Sequence, residues 1–451
     1  MPTSVSVIGM GKLGAPMAAA IAARGVLAIG VDSDAAKVEA IARGAPPVFE
    51  PRLAETLSLA HGRLTATQSI EDAVRDSDIT FIVVATPADT DGSFSLRYVL
   101  PVCETIGRAL ASKREYHLVA LTSTVMPGST SGDVRDALEK ASRKRAGTDF
   151  GLCYSPEFIA LGSVIRDFLN PDFLLIGESD GRAGAKLESL YRTVCENRPP
   201  VARMNLVNAE IAKLAVNTYV TTKISFANML ARLCEKVPGA SVDVVTGAIG
   251  LDSRIGGKYL KGAISYGGPC FPRDNLALIA LADRVGASSD LPRATHDFNR
   301  AQILRLADTV ADYLGSGEAA GILGLTYKPN TDVTEDAAGL LLAQELAKRK
   351  VPTIAFDPEG HSRAAITLGD NVHLAASAEE CIEQSGVVVL ATPWPEFLAI
   401  PAGRWARDGA PRVVIDCWRA LKHLESSNGI LYLGLGIGVV REESLAGGAA
   451  Q

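Results

Sequence analysis

The run Val5-Ser6-Val7-Ile8-Gly9-Met10-Gly11-Lys12-Leu13-Gly14 decides how the chain begins to fold. An aliphatic segment, Val5–Ile8, reads as a buried strand. Three glycines then open a helix over Ala15–Arg24. Gly9 permits a tight turn, Gly11 lets a diphosphate approach the backbone, and Gly14 lets the helix lie close to the strand. The free N–H groups of the helix's first turn and its positive dipole end favour an anion there. A second strand, Leu27–Val31, ends at Asp32, 18 residues beyond Gly14. A carboxylate at that point can bind both ribose hydroxyls and repels a 2′-phosphate. The unit therefore predicts a dinucleotide site that favours NAD over NADP.

Outward from this unit, short apolar runs continue to alternate with amphipathic ones. Ile79–Val84, Leu118–Thr122 and Leu174–Ile176 read as strands, Asp34–Arg43 and Tyr98–Leu110 as helices. The alternation predicts a parallel sheet covered on both faces. Between Met204 and Val237 there is no glycine or proline, and Ile211, Leu214, Ala215, Thr218, Thr222, Phe226, Met229 and Leu233 recur at helical spacing. A helix this long, roughly 45 Å, is either a connector or a dimer spine. After residue 318 the alternation resumes, with strands expected at Ala320–Leu325, Thr353–Phe356, Val387–Thr392, Val413–Asp416 and Leu431–Leu435. The tail Ala446–Gln451 is expected to be disordered.

Composition excludes several classes. The chain has 451 residues, 47% apolar and 21% charged, enough to bury a sizeable core. Glycine is in excess, 42 of 451 or about 9% against a usual value of about 7%. The net charge of −6 argues against a nucleic-acid binder. Seven cysteines without a CxxC pair indicate reduced thiols, neither a disulfide framework nor a metal site. The strand-like start at Val5 leaves no room for a signal peptide, and the apolar stretch Ile430–Val440 is too short for a bilayer. A cytoplasmic protein with no membrane partner is expected.

The second informative stretch is Gly267-Gly268-Pro269-Cys270-Phe271-Pro272-Arg273-Asp274. Two glycines and two prolines fix the backbone around one cysteine. A packing cysteine needs no such bracket, whereas a nucleophile must be held in position, with positive charge nearby to favour its thiolate. Lys213 and Asn217, four apart in the long helix, share one face. A lysine among apolar neighbours either snorkels to solvent or pairs with a functional group.

Together these residues resemble the UDP-glucose/GDP-mannose dehydrogenase family of nucleotide-sugar 6-dehydrogenases. The resemblance spans nearly the whole chain. It is carried by the Gly9–Gly14 turn, Thr86-Pro87, Ser123-Thr124-Val125 with Pro127-Gly128, and Ser155-Pro156-Glu157-Phe158. Glu210 to Asn217, Tyr266 to Asp274, and Gly324-Leu325-Thr326-Tyr327-Lys328-Pro329-Asn330-Thr331-Asp332 complete it. It implies two Rossmann-like, doubly wound α/β domains joined by a long central helix. Residues 1–200 would bind NAD, 201–305 would form a helical dimerisation region with the catalytic Lys and Cys, and 306–451 would bind the nucleotide of the sugar.

The implied reaction is a four-electron oxidation of a sugar C6 alcohol to a carboxylate, with UDP-glucose the foremost substrate. Cys270 would form a thiohemiacetal and then a thioester. Lys213 would stabilise the oxyanion, Asn217 would orient it, and Asp274 would act with a water as base. Thr124 and Glu157 would position that water. Gly9, Gly11, Lys12, Leu13, Gly14, Asp32, Thr86, Pro87 and Thr124 would hold NAD. Phe158, Ile159, Leu161, Lys213, Asn217, Arg254, Tyr259, Lys261, Gly267, Lys328 and Arg419 would contact the nucleotide sugar, Arg254 reaching across a homodimer. Three positions depart from the family's pattern. Leu161 replaces a second glutamate, Glu335 replaces an arginine near the cofactor, and Asp416-Cys417-Trp418-Arg419 places its arginine one residue late. Alternative readings are a UDP-2-acetamido-sugar or GDP-mannose 6-dehydrogenase, a single-oxidation 3-hydroxyacid or phosphogluconate-type dehydrogenase, and a non-catalytic sensor.

Overall fold

The computed structural model describes residues 3–439. The expected disorder of Ala446–Gln451 lies outside them. The chain divides into two compact units: one runs to Val216 and also takes Ala280–Gly286, and the other takes Asn217–Ile279 and everything from Ala287. Residues 201–305 contribute to both units.

In the first unit, strands β1 (Ser4–Ile8), β2 (Leu27–Val31), β3 (Leu64–Thr67), β4 (Ile79–Ile82), β5 (Leu118–Leu121), β6 (Gly151–Tyr154), β7 (Leu174–Glu178) and β8 (Val201–Asn205) form one sheet, ordered β3-β2-β1-β4-β5-β6-β7-β8. The first six are parallel in the doubly wound order, so the chain reverses its direction of travel across the sheet between β1 and β4. The expectation of a wholly parallel sheet needs one correction: β7 runs antiparallel to β6. β4 and β5 are buried at every residue, because helices cover both faces. The helix Gly14–Ala23 is buried from Gly14 to Ala22, and its glycine, alanines and other small residues allow that close packing.

Polar residues inside these strands satisfy one another. Ser6 Oγ lies 2.7 Å from Thr80 Oγ1, which lies 2.8 Å from His117 Nε2. Burial, reinforced by the cations of Lys113 and Lys186, pushes His117 down to about 3, so it stays neutral.

In the second unit, β9 (Ala320–Leu323), β10 (Thr353–Phe356), β11 (His373–Leu374), β12 (Val387–Leu390), β13 (Arg412–Asp416) and β14 (Ile430–Gly434) form a fully parallel sheet, ordered β11-β10-β9-β12-β13-β14. This repeats the doubly wound order of the first six strands. Gly324 (φ +100°) takes the place of Gly9 (φ +103°). A Cβ on Gly339 would strike the Gly324 carbonyl, as one on Gly14 would strike that of Gly9. The central helix, Leu206–Lys236, joins the units with 31 residues. No helix among the described residues is long and apolar enough to cross a membrane.

The two kinds of glycine should respond differently to alanine. Gly324 has positive φ and the Thr392 side chain against it, whereas a Cβ on Gly11 meets nothing within 4 Å. Gly324→Ala is expected to cost about 2 kcal/mol or more in urea unfolding. Gly11→Ala should leave stability within about 0.5 kcal/mol and weaken NAD binding in calorimetry instead.

Candidate active site

Parallel strands deliver their C-terminal ends to one edge, and the first unit's expected site residues lie along it. Moving across the sheet they are Asp32 after β2, Gly9–Gly14 after β1, Thr86-Pro87 after β4, Ser123-Thr124 after β5 and Ser155–Phe158 after β6. The residues fit a dinucleotide. No side chain caps the Gly14–Ala23 helix and its first turn carries no acid, so its positive dipole end meets no competing charge there; Ala15 N and Met17 N already donate to the Gly11 and Leu13 carbonyls, and Pro16 has no N–H. Asp32 directly follows β2 on the same edge. Its carboxylate accepts from Met10 N at 2.8 Å, Asp34 N at 2.9 Å and Lys37 Nζ at 3.2 Å. Burial opposes its ionisation, but these N–H groups and the Lys37 cation hold the carboxyl below its ordinary value.

Two buried carboxylates fix the loops on this edge through backbone N–H groups. Glu210, fully buried on the central helix, accepts from Gly128 N at 2.6 Å and Thr130 N at 2.8 Å. It thereby holds the loop that carries Thr124. Burial raises its pKa while those same N–H groups pull it down. Glu50 accepts from Gly162 N at 2.8 Å and Val164 N at 2.7 Å, which ties down the loop carrying Phe158, Ile159 and Leu161. Sequence reasoning missed Glu50. Its only signal is an acid beside Pro51, which does not reveal a partner more than a hundred residues away.

Lys213 does not snorkel. It is 7% exposed, its Nζ donates to the Glu157 carbonyl at 2.6 Å, and it lies over the Phe158 ring at 4.5 Å. The Glu157 carboxyl is pushed up to about 7 by burial, against the opposing pull of Tyr191 and Lys213.

In the second unit, Asn217 Nδ2 donates to Asp274 Oδ2 at 2.5 Å, and Asp274 is 1% exposed. Cys270 stands just before the 15-residue helix Phe271–Val285, and its carbonyl accepts from Asp274 N at 2.8 Å. A helix N-terminus stabilises a thiolate. Cys270 is exposed while the other six cysteines are buried, and burial pushes Cys103, Cys195 and Cys381 up to about 12. The glycines before Cys270 have a packing reason. A Cβ on Gly267 would strike the Asp336 carbonyl, and one on Gly268 (φ +86°) would meet the Tyr327 ring at 2.8 Å. Gly268 N also donates to the Glu335 carbonyl at 2.9 Å.

Three domain models of one family match in order. The NAD-binding domain of the UDP-glucose/GDP-mannose dehydrogenase family matches residues 3–195, its central domain 207–301 and its UDP-binding domain 321–423. The chain belongs to the UDP-glucose/GDP-mannose dehydrogenase family. It is an NAD-dependent nucleotide-sugar dehydrogenase. It is 35% identical to the UDP-glucose 6-dehydrogenase AglM of Haloferax volcanii over 400 residues, covering 88% of this chain and 92% of that protein. It is 32% identical to the GDP-mannose 6-dehydrogenase of Azotobacter vinelandii over 420 residues, covering 89% and 94%. The solved UDP-glucose dehydrogenase of Pyrobaculum islandicum superposes with a TM-score of 0.87 at 33% identity, covering 97% of this chain and 98% of that one.

The remaining expected substrate residues of this dehydrogenase are placed unevenly. Lys328 follows Tyr327 on the loop after β9, its Nζ 5.7 Å from that ring's centre. Arg254, Tyr259 and Lys261 lie on an exposed segment, where Arg254 pairs with Asp252 at 2.6 Å. Arg419 differs from expectation. Its side chain is fully buried, and all five of its N–H groups are used: by both oxygens of Asp243 and by the carbonyls of Cys417, Leu435 and Gly262. It has no donor left for a diphosphate. The backbone adopts φ +57° at Arg419. Trp418, the preceding residue, is half-buried and bonds to the Ala391 carbonyl at 2.8 Å. Glu335 brings its carboxylate within 4.0 Å of Arg363, which pairs with Asp332 at 3.0 Å.

Glu157 gives a stability prediction. Its folded pKa lies above its ordinary 4.5, so between about 4.5 and about 7 the folded chain holds a proton that the unfolded chain has released. Stability therefore falls as pH rises through that window. Glu157→Gln cannot ionise, so its melting temperature should rise relative to the parent's across that interval. Identical pH trends in the two proteins would contradict the raised pKa.

Proposed function

We propose that the chain oxidises the C6 alcohol of a nucleotide sugar to the carboxylate in two steps, with UDP-glucose the preferred substrate. The observation that carries this reading is Cys270: the one exposed cysteine among the seven, at a helix N-terminus, on a turn whose glycines pack against backbone and ring. NAD, when bound, accepts the hydride at each oxidation. The chain's own groups do the rest. After the first oxidation the Cys270 thiolate adds to the aldehyde carbon. A C–S bond forms and the carbonyl oxygen takes up a proton, giving a thiohemiacetal. Loss of a second hydride from that carbon, with the hydroxyl proton, leaves a thioester on Cys270. Water then adds to the acyl carbon, the C–S bond breaks, and the carboxylate and free thiol are released.

Lys213, held in place by the Glu157 carbonyl, supplies a fixed cation for the developing oxyanion. Asp274 is oriented by Asn217, and Glu157, poised near neutrality, suits proton exchange with the attacking water. With Arg419 fully engaged, the basic groups that remain for the nucleotide end are Lys328 and the segment around Lys261. A UDP-2-acetamido sugar or GDP-mannose is the second reading, favoured by apolar Leu161 on the loop that carries Glu157.

A panel of UDP-glucose, GDP-mannose and UDP-2-acetamido sugars, followed by NADH absorbance, tests both readings. The expectation is two NADH per sugar, with UDP-glucose the best substrate. One NADH per sugar on the best substrate would sink the four-electron scheme.

We infer further that the protein is a homodimer. Within the second unit, Tyr219, Phe226, Met229 and Leu233 are spaced along one stripe of the central helix, and each is at least 44% exposed. So long an apolar stripe favours a partner surface, and a second copy would bring the neighbouring Arg254 segment with it. Phe226→Asp combined with Leu233→Asp should convert a dimer to a monomer in sedimentation velocity. A parent chain that already sediments as a monomer would refute the dimer.

A further inference from the structure

Glu157 does not stand alone behind its loop. Tyr191 Oη donates to Glu157 Oε1 at 3.1 Å, and the same hydroxyl lies 2.7 Å from Ser155 Oγ. An ionised carboxylate can only accept, so Tyr191 spends its one proton on Glu157, and Ser155 must then donate to Tyr191. The hydroxyls line up as Ser155 to Tyr191 to Glu157, each dipole pointing at the carboxylate. When Glu157 takes up a proton, the chain can reverse, Glu157 donating to Tyr191 and Tyr191 to Ser155.

Tyr191 is suited to hold this line. It is 2% exposed on the helix Gly181–Val194, with its ring edge-on to Phe81 and Phe168. A hydroxyl buried among aromatic rings is costly unless it is paired, so its two partners fix its position. Burial, and then the Glu157 charge, hold its own ionisation well above the ordinary value, so it serves as a donor and not as an acid.

The groups facing the pair come from several elements. Lys213 on the central helix bonds to the Glu157 carbonyl and draws its carboxyl down. Cys195, beyond the end of the Tyr191 helix, is kept as a thiol by burial and by Glu157. Ser155 precedes Glu157 on its own loop. Of these, only Tyr191 donates to the carboxylate itself.

We propose that Tyr191, backed by Ser155, is a positioning residue that aims the Glu157 carboxyl and governs when it exchanges its proton. The proposal rests on the reading that Glu157 serves the hydrolytic half of the reaction. Tyr191→Phe keeps the ring packing and removes only the donor, so the carboxylate form loses support and Glu157 should titrate at higher pH.

Two measurements on the whole enzyme test this. Difference infrared titration follows the carboxyl band that Glu157→Gln removes. That band should titrate near pH 7 in the parent and about one unit higher in Tyr191→Phe, with a smaller shift in the same direction for Ser155→Ala. The limb of the kcat–pH profile that Glu157→Gln abolishes should move by the same interval. If the band and the limb stay at the parent's pH in a folded Tyr191→Phe variant, the relay is overturned while Glu157 keeps its role. If the kcat–pH profile is unchanged by Glu157→Gln, the reading of Glu157 itself fails, and the relay with it.

Discussion

The direction of the strands is the constraint on which the first unit's chemistry depends. Because β2, β1, β4, β5 and β6 are parallel and adjacent, each delivers its chain to the same edge of the sheet. Residues as distant in sequence as Gly9, Asp32, Thr86, Thr124 and Glu157 are thereby lined up without any special device. The winding reverses between β1 and β4, and the uncapped helix at Gly14 begins there. Without the parallel register these loops would fall on opposite edges.

Register places the loops, but it does not hold them still. Buried carboxylates do that, by accepting backbone N–H groups from the loops themselves: Glu210 at Gly128 and Thr130, Glu50 at Gly162 and Val164. A buried carboxylate that accepts two N–H bonds recovers part of its own desolvation cost and fixes two points of main chain. In the second unit the turn before Cys270 is fixed by close packing instead, Gly268 against Tyr327 and Gly267 against the Asp336 backbone. Tyr327 neighbours Lys328, so the loop expected to meet the nucleotide also supports the turn before Cys270.

The dinucleotide turn and the central strands other than β6, Gly-Leu-Cys-Tyr, were legible in the sequence because their signals are local. A run buried on both faces is apolar throughout, and the Gly9–Gly14 spacing carries its own geometry. The long helix was legible too, from the absence of glycine and proline between 204 and 237. The edge strands β3 and β11 were not: β3 is Leu-Thr-Ala-Thr and β11 only His-Leu, with little apolar signal in either. The reversal of β7 depends on pairing, which no local pattern encodes. The likeness of Gly324 and Gly339 to Gly9 and Gly14 was hidden because fourteen residues separate the second pair where four separate the first. Arg419 looked like a nucleotide contact because arginines serve that purpose. Its neighbours cannot reveal that Asp243, 176 positions away, has already claimed it.

In the proposed mechanism Cys270 is a covalent participant, and Lys213, Asp274 and Glu157 are groups that act on what it carries. Acid-quenching the enzyme during turnover with NAD and UDP-glucose, followed by peptide mass analysis, tests that most directly. The account predicts a mass increment corresponding to the acylated nucleotide sugar on the peptide containing Cys270. It also predicts no carboxylate product from Cys270→Ala. A Cys270→Ala enzyme that forms the carboxylate at the parent's rate would contradict it.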